Sequence, residues 1–172
     1  MMDLLQLEQQ KKDLLAPFQS WSSARLAYRP TPGAWSTAEV FNHLMKTEAA
    51  ILRAAQQGVL RPQRIGLRDR LGYVFIEKLF RSDRKVRVPD SAPQVLPDRD
   101  PELPAVSIEW QTVREDLRRF YEQLSPEQLR EGIFRHPVSG WMDMPRIQGF
   151  FSVHMVHHSF QLARLSTASE GL

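Results

Sequence analysis

Apolar positions along the chain fall into helical stripes separated by proline-bearing breaks. Leu4, Leu7, Leu14, Phe18 and Trp21 recur at spacings that share one helix face. Tyr28 to Trp35 then carries Pro30, Pro32 and Gly33, and no helix crosses such a stretch comfortably because proline lacks the amide donor. Ser36-Thr37-Ala38-Glu39 is a capping box, in which Ser36 and Glu39 satisfy each other's free backbone N–H groups. A second helix is therefore predicted from Ser36, with a buried stripe of Val40, His43, Leu44, Thr47 and Ile51, fading near Gly58. A third follows from Val106, Trp110, Val113, Leu117, Phe120 and Leu124, whose alternating steps of four and three mark a helix lying nearly parallel to its neighbours. Ser125-Pro126-Glu127-Gln128 opens a short helical turn, with proline at the tolerated first position. Residues 135–141 read as a turn-rich connection. The last helix runs from about Met144 to Ser166, facing inward with Ile147, Phe151, His154, His158, Gln161 and Leu165.

Residues 59–104 are the least regular part. Leu67, Leu71, Val74, Phe75 and Leu79 suit a shorter helix packed on the outside of the core through those residues. Pro89, Pro93, Pro97, Pro101 and Pro104 then recur every three or four residues, a spacing that forbids helix and central strand and predicts an extended surface excursion. Such a segment is either functional or a covering strap. The pattern is all-α: a four-helix bundle with a long irregular excursion between helices 2 and 3, forming one domain over residues 1–172. Strand-like alternation is nearly absent and no Gly-rich phosphate loop occurs in the sequence, which argues against an α/β nucleotide-binding fold.

Composition narrows the chemistry. The 172 residues are 42% hydrophobic and 25% charged, the balance of an ordinary soluble globular protein. No run approaches the roughly 20 apolar residues of a membrane span, and Met1 to Lys12 lacks the apolar core of a signal peptide. A cytoplasmic location and no membrane partner are the resulting expectations. With no cysteine at all, disulfides, thiolate nucleophiles and cysteine metal ligands are excluded together. Any metal must be held by His, Asp or Glu, and any thiol must come from outside the chain. The formal charge of +3 is too mild to imply nucleic acid. Its distribution is uneven, however: Arg53 to Val88 holds ten Lys/Arg against Asp69, Glu77 and Asp83, a local +7. That segment can bind phosphate or an acidic surface, or be a solvated loop and helix face.

Histidine is the residue type that stands out. His43 sits in the apolar stripe of the second helix, and His154 and His158 lie one turn apart on one face of the last. Facing helices of a bundle can bring the three imidazoles to one point, giving a divalent metal three neutral nitrogens and an open fourth position. Alternatively each is a core histidine hydrogen-bonded to backbone or a tyrosine. His157 points about 100° away from His158 and is read as outward, and His136, preceding a proline, as a turn-capping residue.

These segments carry a family resemblance. Pro32-Gly33-Ala34-Trp35-Ser36 leading to Val40-Phe41-Asn42-His43-Leu44 resembles the start of helix two in the DinB-like (damage-inducible) superfamily. His154-Met155-Val156-His157-His158-Ser159-Phe160-Gln161 is similar to that family's closing helix, and His136-Pro137-Val138-Ser139-Gly140 to the loop before it. The resemblance spans roughly residues 1–58 and 105–168. It implies an up-down-down-up four-helix bundle, often dimeric, with zinc or nickel ligands falling on His43, His154 and His158. It also implies a metal-dependent enzyme of thiol-S-transferase or hydrolase type acting on a small-molecule substrate, in the first case with an exogenous low-molecular-weight thiol. The alternative is a non-catalytic binding or dimerisation module with a structural or vestigial metal site. No catalytic residue is identified beyond the metal set. Gln161 is a candidate to orient a ligand or hydrogen-bond a metal-bound water, Glu39 a candidate support for the site with capping as its preferred role, and Trp35 and Trp141 candidate pocket walls. A homodimer is expected, and nucleic-acid binding is not.

Overall fold

The computed structural model describes residues 4–171, and its helices begin and end where side chains satisfy or deny the free backbone groups. Helix α1 covers Leu4–Leu15, shorter than the stripe through Trp21 predicts. Pro17 is the reason: it supplies no N–H to continue the ladder, and Ala16–Phe18 tightens into a 3-10 turn. Ser22 then caps a short α2, Ser23–Ala27, by accepting from the Arg25 N–H. Phe18 still reaches the core, its ring edge-on to Trp21 and Phe41 at 4.7 and 5.4 Å.

Helix α3, Thr37–Gly58, begins where the capping box places it, with both reciprocal bonds formed: Ser36 N–H to Glu39 Oε2 at 2.8 Å and Glu39 N–H to Ser36 Oγ at 3.3 Å. It stops against the chain itself, since a Cβ on Gly58 would lie 1.7 Å from the Ile133 carbonyl oxygen. Helix α5, Leu103–Gln123, starts with Pro104 in its first turn, so the last proline of the series opens a helix rather than extending the loop. Helix α6 covers Met144–Ala168, capped by Asp143. Between α5 and α6, Ser125 and Gln128 cap each other ahead of a 3-10 turn at Gln128–Arg130. The connection expected to be turns alone contains a small antiparallel hairpin, β1 Phe134–His136 and β2 Gly140–Met142, with Arg135 opposite Trp141. Strands of three residues are too short to show alternation in sequence.

Helices α1, α3, α5 and α6 form the bundle: α3 packs on α5 and α6, α1 packs on α6, and Lys11 of α1 reaches Gln111 of α5 at 2.9 Å. Their apolar stripes meet in one core that includes Leu7, Phe41, Leu44, Trp110, Leu117, Ile147 and Phe151. A polar knot is buried in it. Glu48 accepts from Arg114 Nε and Nη2 at 2.6 and 2.7 Å and from Trp110 Nε1 at 2.8 Å.

Helix α4, Leu67–Phe80, exists as the sequence suggests but presents the opposite face. Its buried residues are Ile76 and Phe80, and of the expected stripe only Leu79 packs, half-buried, against the core, whereas Leu67, Leu71, Val74 and Phe75 are 72, 62, 45 and 58% exposed. The hairpin decides this. Asp69 accepts from the Trp141 N–H at 3.0 Å, and Gly72 passes so close to Ser139 that a Cβ there would meet backbone at 2.9 Å. These contacts turn the face of Asp69, Gly72, Tyr73, Ile76 and Phe80 inward, and the aliphatic stripe outward. No helix of the described residues is long and apolar enough to cross a membrane.

Candidate metal centre

Two bundle helices bring the three predicted histidines together. His43 projects from α3, and His154 and His158 project from α6 one turn apart. All three are buried, and one ring nitrogen of each lies within 4.8 Å of the others. His154 Nε2 stands 3.2 Å from His43 Nε2 and 3.0 Å from His158 Nε2.

The far side of two rings fixes which nitrogen carries the proton. His43 Nδ1 lies 2.7 Å from the Val95 carbonyl oxygen, which can only accept, so Nδ1–H donates and Nε2 presents a lone pair. His158 Nδ1 donates likewise to Gln161 Oε1 at 2.9 Å. Two lone pairs therefore point at His154 Nε2, whose single proton can serve only one of them well. An extra proton is disfavoured too. Burial pushes His43 down to about 4 despite the Val95 carbonyl. Burial, followed by the neighbouring imidazoles, holds His154 and His158 well below the ordinary histidine value. The cluster is a set of neutral imidazoles whose three facing nitrogens carry two fixed lone pairs and at most one proton. A divalent cation satisfies all three at once: two of the three separations, 3.0 and 3.2 Å, approach the roughly 3.3 Å between nitrogens that share a tetrahedral zinc, and all three nitrogens lie within 4.8 Å of one another.

Aromatic rings surround the cluster. Trp35 lies 4.8 Å from the His43 ring and stacks towards His158 at 6.3 Å. Phe80 and Phe150 sit 5.5 and 5.4 Å from His154. Trp35 thus stands beside the cluster, whereas Trp141 stays on the hairpin, its backbone N–H bonded to Asp69. Glu39 makes no direct hydrogen bond to the histidines either. It holds Ser36 and accepts two bonds from Arg29 at 2.6 and 3.0 Å. Burial pushes its carboxyl up, but the Arg29 guanidinium and Ser36 outweigh that and hold it below the usual range. His157 stacks on Phe80 at 4.9 Å, half-buried rather than fully outward. His136 caps its turn, Nδ1 accepting the Val138 and Ser139 N–H groups at 3.2 Å each.

The proline-rich excursion contributes the feature that sequence reasoning missed. It crosses the face of α3 formed by Glu39, Asn42, His43 and Lys46, and each of these residues helps hold it. Asp98 N–H donates to Asn42 Oδ1 at 2.8 Å, Lys46 Nζ reaches Asp98 Oδ1 at 2.9 Å, and Arg29, anchored by Glu39, reaches Asp100 at 2.7 Å. The 3-10 turn Pro93–Val95 sets the Val95 carbonyl onto His43. A backbone carbonyl has no residue signature. The length and proline spacing of the segment marked it only as either functional or a covering strap.

A model of the DinB superfamily matches residues 6–162, a span that includes the excursion. No curated protein and no solved structure matches the chain.

Proposed function

The chain belongs to the DinB superfamily, and on that premise we propose that it is a metal-dependent enzyme of thiol-S-transferase or hydrolase type, with His43, His154 and His158 holding a zinc or nickel ion. The carrying observation is the pair of lone pairs on His43 and His158, each fixed by an acceptor behind its ring and aimed at a third nitrogen that can answer only one. A divalent ion bound there would lower the pKa of a bound water or thiol towards neutrality. The chain's own residues prepare the place. Val95 and Gln161 hold two imidazoles in the ligating tautomer, and Trp35, Phe80 and Phe150 keep bulk water from the cluster. Because the chain has no cysteine, a thiol nucleophile has to be an exogenous small molecule.

The test is elemental analysis and zinc or nickel titration of protein purified without a histidine tag. Bound metal that raises the melting temperature supports the reading; no binding and no shift defeat it. The lining of aromatic rings, with no carboxylate hydrogen-bonded to the three histidines among the described residues, favours a second reading: a non-catalytic binding or dimerisation module with a structural metal site. A His43→Ala, His154→Ala double variant separates them. Retained folding with lost metal fits the enzyme, and collapse fits the structural site.

A further inference from the structure

Helix α4 has a second apolar face that the bundle leaves uncovered. Leu67, Leu71, Val74 and Phe75 stand at i, i+4, i+7 and i+8, one continuous stripe with exposures of 45–72%. By helical periodicity Arg68 borders one side of the stripe, Arg70 the other, and Lys78 continues it by one turn. The acids of this helix are occupied elsewhere. Asp69 is turned inward onto the Gly66 and Trp141 N–H groups, and Glu77 pairs with Arg81 at 3.0 Å. Among the described residues no carboxylate forms an ion pair with Arg64, Arg68, Arg70 or Lys78. Beside the start of the helix, a recess of about 440 Å³ gathers Arg64, Arg70 and Arg130 with Glu131, and holds Arg146 ion-paired to Asp143.

We propose that this face of α4 docks the protein onto an anionic lipid surface, the aliphatic stripe entering the interface while the bordering arginines and lysine take headgroup phosphates. Charge argues against a second copy as occupant, since each would bring the same local +7 of residues 53–88 against the other. Shape argues against an acidic protein. The stripe is the convex outer side of a helix packed on α6 and β2, and the recess beside it is lined mostly by charged residues, unlike the apolar pocket that receives the anchoring side chain at most protein interfaces. An apolar stripe with cationic borders is what the boundary between headgroups and acyl chains accepts. Such peripheral binding needs no spanning helix, so the lack of one in α1 to α6 is compatible with it. The inference is independent of the metal centre.

Co-sedimentation of the full chain with vesicles tests it. Binding is expected to phosphatidylcholine vesicles containing phosphatidylglycerol, to weaken with salt, and to be absent from phosphatidylcholine alone. A Leu71→Glu, Phe75→Glu variant, altered only at exposed positions, should keep the wild-type melting temperature and lose at least about tenfold in vesicle affinity. Inorganic phosphate at matched ionic strength should not displace the protein. Failure to bind anionic vesicles, affinity unchanged in the variant, or displacement by phosphate alone would each overturn the proposal. So would sedimentation showing a dimer that the variant abolishes, or binding to polyglutamate without binding to vesicles.

Discussion

Replacing Gln161 by Leu separates the metal reading from a purely structural one. Gln161 Oε1 receives the His158 Nδ1 proton at 2.9 Å, and among the described residues no other acceptor shares that role. In Gln161→Leu the ring has two options. It can keep its tautomer and bury an unsatisfied N–H, at a cost of about 1–3 kcal/mol. Or it can move the proton to Nε2, which then donates to His154 Nε2 only 3.0 Å away. The second option nearly spares the metal-free protein but removes the lone pair that a metal needs. Metal affinity should therefore fall about 10–100-fold, as on loss of other ligand-orienting partners, equivalent to about 1.4–2.7 kcal/mol. Stability without metal should change by under about 1 kcal/mol. Gln161→Glu, which keeps an acceptor, should retain affinity. Chelator-competition titration with zinc, beside urea melts of the metal-free protein, measures both quantities. An affinity within twofold of wild type, or equal losses with and without metal, would refute the reasoning.

Other consequences follow from the same contacts. Glu48→Gln strips the buried Arg114 guanidinium of its counter-charge and should cost about 3–5 kcal/mol, a fall in Tm on the order of 10 °C by calorimetry. Asp98→Ala releases the strap from Asn42 and Lys46; because the Lys46 pair is solvent-exposed, global stability should change by under about 1 kcal/mol, while hydrogen exchange at residues 93–98 accelerates and metal affinity drops through His43. The metal-free protein should also weaken in acid. His43 titrates near 4 when folded against 6.5 when unfolded, so its contribution is complete above pH 6.5 and is lost as pH falls towards 4. The loss from this group is roughly 3 kcal/mol, and urea midpoints that stay flat from pH 7 to 4 would contradict it.

The sequence made some of this legible because the controlling interactions are local. Ser36 and Glu39 lie three residues apart and set the start of α3, and the one-turn spacing of His154 and His158 puts both on one face whatever surrounds them. That His43 would meet them depended on bundle packing, which the stripe Val40–Leu44–Ile51 foretold. Helix α4 was legible as a helix but not in its orientation. Both of its faces are apolar, and beside the burial of Ile76 and Phe80 the inward face is fixed by contacts without an apolar signature: Asp69 with a backbone N–H and Gly72 against backbone. The Val95 carbonyl was invisible for a related reason, since main-chain acceptors are the same at every residue.

X-ray absorption at the zinc or nickel edge, on untagged protein loaded with one equivalent of metal, tests the central claim most directly. Three imidazole nitrogens at about 2.0–2.1 Å from the ion are expected, with the signal lost in His154→Ala. Metal that does not bind, or a coordination shell unchanged in His154→Ala, would contradict it.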